Sequence, residues 1–290
     1  MDTYFIRHTN RMSIDSDTFE RLWVNRKIAI HFPSDKNGVL DTEKDNVSLS
    51  PEDYKGHDAF AISTFVELAN NGGYVCAHYR HRNECLIGMV EPKTEIEFIE
   101  GWWDDNKSRL GIFKSLQLKK VKVVRESQLA HILVGRPRQG TIRKWRLIGN
   151  RIEYLVNRKV LPQTIDSLLP SQQEVLCSEY LRLPQAVYQI SHLLIPVGGT
   201  MKDIDIWGVD VSGQLVYAQV TFLKRDNTSL KIKLKQLKEY SQNGRNKLIM
   251  FCDCENQVSD DGIVIFPIRE AFRVFTSTKS GKIWLEQSLR

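Results

Sequence analysis

Residues 198–222 read GGTMKDIDIWGVDVSGQLVYAQVTF, two apolar strands around a turn, with polar side chains interrupting both. Asp203 and Asp205 stand on the first strand, and Gln219-Val220-Thr221 on the second. Side chains alternate along a strand, so Asp203 and Asp205 share one side, as do Gln219 and Thr221, and strand pairing can set Asp205 beside the latter two. A buried amide left unpaired costs about 1–3 kcal/mol, so Gln219 in so apolar a strand asks for a partner. Oxygen donors gathered this way suit a hard cation such as magnesium.

The elements that would position these groups lie in residues 164–290. Their expected order is helix, three strands, helix, two strands, helix. The first helix, residues 170–183 (PSQQEVLCSEYLRL), has proline near its start, as helices tolerate. It carries Glu174, with a buried stripe expected at Val175, Leu176, Tyr180 and Leu183. Residues 229–241 (SLKIKLKQLKEYS) form a lysine-rich amphipathic helix. NKLIMFCD and GIVIFP are apolar throughout, as strands covered on both faces are. The expected class is α/β, a mixed sheet flanked by helices.

Helical Glu174 before Val175-Leu176, then Gly198-Gly199, then Asp205 after Ile204, then Gln219-Val220-Thr221 on the next strand: this pattern resembles the PD-(D/E)xK nuclease superfamily, and within it the Mrr-like restriction endonucleases. The resemblance covers residues 164–290. It implies a restriction-endonuclease-like fold and magnesium- or manganese-dependent hydrolysis of DNA phosphodiesters, in restriction or antiphage defence. It also implies a metal held by Asp205 and the Val220 carbonyl, with Asp203 as a further ligand, and Glu174 and Gln219 beside it. Thr221 stands where the family has a lysine, and threonine carries no charge. Lys224 could replace that lysine if the strand bulges or ends there, and Lys231 or Lys235 could reach in from the following helix. Without a replacement, the alternative is a degenerate nuclease fold that binds DNA or a partner protein.

Residues 1–125 form a separate β-rich unit: a Trp-containing helix, strand IAIHF, a long polar loop, a helix over 58–70 ended by Asn71-Gly72-Gly73, then strands YVCAHYRH and CLIGMVEP. Phe60, Ile62, Phe65, Val66 and Leu68 are the expected apolar set of the second helix. This layout resembles the PUA-like barrels, including EVE and YTH-type readers of modified bases. The resemblance implies a target-recognition domain with an aromatic base pocket, for which Tyr79, Trp102 and Trp103 are candidates. Trp23 falls on an apolar helical stripe and is assigned to the core.

Between the two units, residues 126–163 read as a basic connector. Arg136, Arg138, Arg143, Lys144, Arg146 and Arg151 surround Trp145. Guanidinium groups grip phosphate and indole stacks on bases, so the segment suits nucleic acid. A solvated linker whose arginines pair with acids is the other reading.

Composition sets the remaining bounds. Apolar residues make up 41% of the 290, enough for a core, and the net charge of +6 fits a polyanion partner such as DNA without demanding one. No apolar run approaches the ~20 residues of a membrane helix, and the N-terminus lacks a signal-type apolar core, so a cytoplasmic protein is expected. A homo-oligomer or a partner subunit is compatible with the sequence. Five scattered cysteines point to reduced thiols. Cys252-Asp253-Cys254 lacks the spacing and second pair of a zinc site. His78 and His81 face opposite ways on a strand, and Gly198-Gly199 lacks the lysine of a phosphate-binding loop.

Overall fold

The computed structural model describes residues 1–8, 14–32, 48–79, 82–102, 106–107, 110–133, 135–194 and 204–289. Gly198, Gly199, Asp203, Trp103, His81 and most of the polar loop lie outside them. The chain forms two compact units, Met1–Leu161 and Pro162–Arg290. Both are α/β, and three open sheets are present among the described residues. No helix of the described residues is long and apolar enough to cross a membrane, and the five cysteines are free.

The first unit runs β1 (Thr3–His8), α1 (Ser16–Val24), β2 (Lys27–Ile30), α2 (Gly56–Asn71), β3 (Gly73–Tyr79), β4 (Glu84–Val90), β5 (Glu97–Trp102), β6 (Leu110–Gln117), β7 (Lys119–Arg125), α3 (Ala130–Leu133), β8 (Ile142–Lys144) and α4 (Arg151–Val156). Five strands pair in the order β7-β4-β3-β1-β8, and three in the order β2-β6-β5. The sequence reading missed β1, which lies centrally and pairs parallel to β3, Phe5 opposite Cys76 and Arg7 opposite His78. The crossover between them contains α1, β2 and α2.

Asp15 caps α1: its carboxylate accepts from Thr18 N at 3.0 Å and from Trp102 N at 3.0 Å, tying the helix to β5. At the far end of α2, Gly72 adopts φ +69°, and a Cβ there would fall 2.7 Å from Met1 and 2.8 Å from Pro92, so the expected glycine stop is obligatory. Phe60 departs from the expected apolar set. It is 49% exposed, with the Arg143 guanidinium 4.4 Å over its ring. His8 is fully buried and joins three strands: Nε2 accepts from Ala29 N at 3.1 Å, and Nδ1 lies 3.2 Å from the His78 carbonyl. Burial pushes its pKa down to about 4, so it stays neutral.

The expected basic connector is part of this unit. β8 pairs antiparallel with β1, Phe5 opposite Arg143. Trp145 is 2% exposed, packs edge-on against Phe5 at 5.2 Å, and donates from Nε1 to the Gly135 carbonyl at 2.8 Å.

In the second unit, α5 (Pro170–Leu181) precedes β9 (Ile190–Leu193), β10 (Ile206–Asp210) and β11 (Leu215–Lys224). Then follow α6 (Thr228–Lys238), β12 (Lys247–Asp253), β13 (Val258–Asp260), β14 (Ile263–Pro267), α7 (Ile268–Ser277) and α8 (Lys279–Ser288). The order matches expectation apart from the added β13 and α8. The sheet reads β13-β14-β12-β11-β10-β9, with β11, β12 and β14 parallel. One face packs on α5, α7 and α8, the other on α6. The buried stripe of α5 is Leu176, Cys177, Tyr180 and Leu181, whereas Val175 is exposed. The stripe is thus rotated one residue from the expected one.

Asp210 closes the β10–β11 hairpin. Its buried carboxylate accepts from Ser212 N at 2.8 Å, Ser212 Oγ at 2.7 Å and Gln214 N at 2.9 Å, and pairs with Lys247. Burial alone would raise its pKa, but Lys247, Ser212 and Gln214 outweigh burial and hold it well below the usual carboxylate range. Asp210→Ala is expected to lower the unfolding free energy by about 1.5–3 kcal/mol in urea titrations at neutral pH. Because the folded pKa is depressed, this contribution is complete above the unfolded value of about 3.9 and disappears as pH falls toward the folded one. The variant and wild-type stabilities should therefore converge in strong acid.

Candidate functional site

β11 is longer than its neighbour. Residues 215–218 pair with β10, Ile206 opposite Ala218, and Asp205 N adds one more bond to the Ala218 carbonyl at 3.0 Å. Among the described residues, 219–224 pair only with β12 on the other side. The Val220 N–H, which projects toward the β10 side, is taken by a side chain: Asp205 Oδ2 accepts it at 2.7 Å. Asp205 itself is exposed.

Strand alternation sorts the neighbouring side chains. Val216, Ala218, Val220 and Phe222 pack toward α5 and α7, and Leu215, Tyr217 and Leu223 toward α6. Gln219 therefore falls on the α6 side, where it is 1% exposed with Oε1 lacking a hydrogen-bond partner. Glu174 reaches from α5, half-buried. Its carboxyl is held above its ordinary pKa by burial and by the negative charge of Asp205, and Lys233 opposes this. The Cys177 thiol, one turn further on, is pushed up by burial and by the same two carboxylates.

The Asp205 and Lys233 charges thus both act on Glu174, and Asp205 sits at the part of β11 that, among the described residues, pairs only with β12. Lys233 is the residue that sequence reasoning missed. On α6, Leu230 and Leu237 are buried and Leu234 packs with them. Lys233 stands three residues after Leu230 and four before Leu237, on that same stripe. It is half-buried, while Lys231 and Lys235 are exposed. The leucine spacing was the available signal.

Other expectations change. The Asp205 charge acts on Glu174, but Gln219 lies on the opposite face from α5, so the three do not share one side of the sheet. Thr221 Oγ1 accepts from Leu223 N at 3.3 Å. β11 does bulge: Val220 lies opposite Phe251 and Lys224 opposite Asp253, so β11 uses two more residues than β12. Yet Lys224 lines a groove of about 900 Å³ with Asp253, Arg269 and Glu270, in which Glu174, Asp205 and Gln219 take no part. Asp203 lies outside the described residues. Among those residues no group of three or more His, Cys, Asp or Glu stands ready to hold a metal.

In the first unit Tyr79 is a core residue, not a pocket wall. It is 1% exposed, stacked on His8 at 4.2 Å, edge-on to Trp23 at 5.2 Å, and its hydroxyl donates to the Lys27 carbonyl. Trp23 is core, as expected. Trp102 is half-buried and borders a hollow of about 420 Å³ with Asp15, Arg21 and Glu100. Of the basic set, Arg136, Arg138 and Arg146 are exposed. Arg151 is buried, and burial lowers its pKa to about 10. Lys144 is ion-paired to Asp2 at 2.9 Å and Glu67 at 2.5 Å, which raises its pKa. Trp145, Lys144 and Arg151 are therefore structural, and an indole buried beside Phe5 has no face left for a base.

Comparison with protein-family models, with curated proteins and with solved structures returns no match.

The electrostatic grouping has a direct readout. In a carboxyl NMR titration, Asp205→Asn should lower the Glu174 pKa and Lys233→Met should raise it further. A Glu174 value indifferent to both would separate these groups.

Proposed function

We propose that the second unit is a divalent-metal-dependent deoxyribonuclease of the PD-(D/E)xK kind, and that the first unit recognises its target DNA. The observation that carries this reading is the electrostatic coupling of Glu174 to Asp205, offset by Lys233, with Asp205 held at the Val220 N–H of a β11 segment that, among the described residues, pairs only with β12.

The donor set fits a hard cation. Its members are oxygens, and Glu174 is held above its usual pKa partly by the repulsion of Asp205, a repulsion that a positive ion relieves. Asp205, Glu174 and the Val220 carbonyl would hold magnesium or manganese. The carbonyl of a strand residue projects to the same edge as its N–H, so Val220 offers its oxygen on the Asp205 side. When bound, such an ion supplies an activated water and charge neutralisation at a phosphate oxygen.

The chain's own groups do the rest. The Val220 N–H orients Asp205 by donating to Oδ2. Lys233 supplies the positive charge that Thr221 lacks, from a helix rather than from the strand, where charge develops on the phosphate. Exposed Arg136, Arg138 and Arg146 offer contacts for a DNA backbone. A restriction or antiphage role follows from the resemblance alone. The second reading, a binding fold without catalysis, draws on Thr221 in the lysine position, and the same assay separates the two.

With Mg²⁺ or Mn²⁺ the purified protein should cut DNA. Asp205→Ala should abolish cutting, and Lys233→Met should slow it about 10²–10³-fold while DNA binding persists. Cutting that survives Asp205→Ala, or that is lost with Lys231→Met and kept with Lys233→Met, would refute the assignment. DNA affinity should also fall steeply with salt, through release of counterions from the phosphates. A flat salt profile in a fluorescence-anisotropy titration would count against the exposed arginines.

A further inference from the structure

In the first unit, β1 and β3 run parallel and end side by side, with Arg7 opposite His78. Open α/β sheets bind ligands beyond the carboxyl ends of their strands. Beyond these two ends lies a groove of about 900 Å³, lined by Arg7, His78, Glu126, Leu133, Arg136 and Arg138 among others. That volume is within the range of about 300–1,000 Å³ typical of small-molecule sites.

The groove is built rather than incidental. Arg7 Nη2 donates to the Pro137 carbonyl at 2.6 Å and Nη1 to the Arg138 carbonyl at 3.2 Å. These bonds tie the loop that carries Arg136 and Arg138 down over the strand ends. The groove holds one acid, Glu126, whose Oε1 lies 2.7 Å from His78 Nε2. Burial and the neighbouring Arg136 hold Arg7 below its ordinary pKa, and burial, Arg136 and Arg7 lower that of His78 against the opposing pull of Glu126. Three arginines, Arg7, Arg136 and Arg138, thus face one carboxylate, and a lining of net positive charge favours an anion. Leu133 adds an apolar wall, so the site offers cationic forks at one side and an apolar contact at the other.

From this geometry we infer that the groove binds a phosphomonoester of mononucleotide size, its phosphate held by Arg136 and Arg138 and its apolar body against Leu133. Guanidinium forks match a terminal phosphate bidentately, and a phosphomonoester carries more charge than a diester link. The site is independent of the proposed nuclease centre and stands whether or not that centre cuts DNA.

Isothermal titration calorimetry of the full chain in EDTA tests it. The probes are a deoxynucleoside 5′-monophosphate, orthophosphate, and an oligothymidylate without terminal phosphates. The monophosphate should bind at a single site and more tightly than orthophosphate. Arg136→Ala combined with Arg138→Ala should weaken it about tenfold or more, and Arg136→Glu alone should weaken it as well. Both arginines are exposed, so circular dichroism melts should be unchanged. Asp205→Ala should bind as the wild type does. No heat with the monophosphate, or unchanged affinity in the arginine variants, would overturn the inference. So would loss of monophosphate binding in Asp205→Ala, or orthophosphate that binds as tightly as the monophosphate.

Discussion

A strand that outruns its neighbour controls the second unit. Among the described residues β11 continues past the last bond to β10, and the Val220 N–H on that side is held by Asp205 Oδ2 at 2.7 Å. One hydrogen bond therefore fixes the carboxylate against the strand edge. Glu174 on α5 feels the charge of Asp205 and, in the opposite sense, that of Lys233 on α6.

The orphaned Gln219 Oε1 is the cost of this arrangement. A buried amide oxygen without a partner is disfavoured by about 1–3 kcal/mol, and such groups persist at functional sites more readily than in ordinary cores. Asp210 and Lys247 offset it at the other end of the hairpin by locking the turn. The hairpin is thus firmest at its closed end and polar at its other end.

The first unit is organised by a different constraint, the burial of β1 between β3 and β8. His8 stays neutral to fit there, and the basic segment after β7 folds back to cover the sheet rather than spanning a gap. Some of its cations are spent on structure, Lys144 on Asp2 and Glu67 and Arg151 on burial, and others remain on the surface.

What the sequence revealed follows from how local each signal is. The Gly72-Gly73 stop, the hairpin and the apolar strands of the second unit are set by neighbouring residues, and all were legible. β1 was not, because TYFIRH ends in charged and polar residues and its partner β3 lies some seventy residues away. Trp145 looked like a stacking residue because its partner, Phe5, comes from the far end of the unit. The acids that neutralise Lys144 are equally distant in sequence. In SLKIKLKQLK the spacing of Leu230, Leu234 and Leu237 already sets Lys233 on the apolar stripe, but what that stripe packs on lies elsewhere in the sequence. Which face Gln219 takes depends on strand register, which the residues around it do not set alone.

The most direct measurement is anomalous diffraction from crystals soaked in Mn²⁺. A peak is expected between the Asp205 and Glu174 carboxylates and the Val220 carbonyl. A saturating soak with no density there, or with manganese bound only elsewhere, would contradict it.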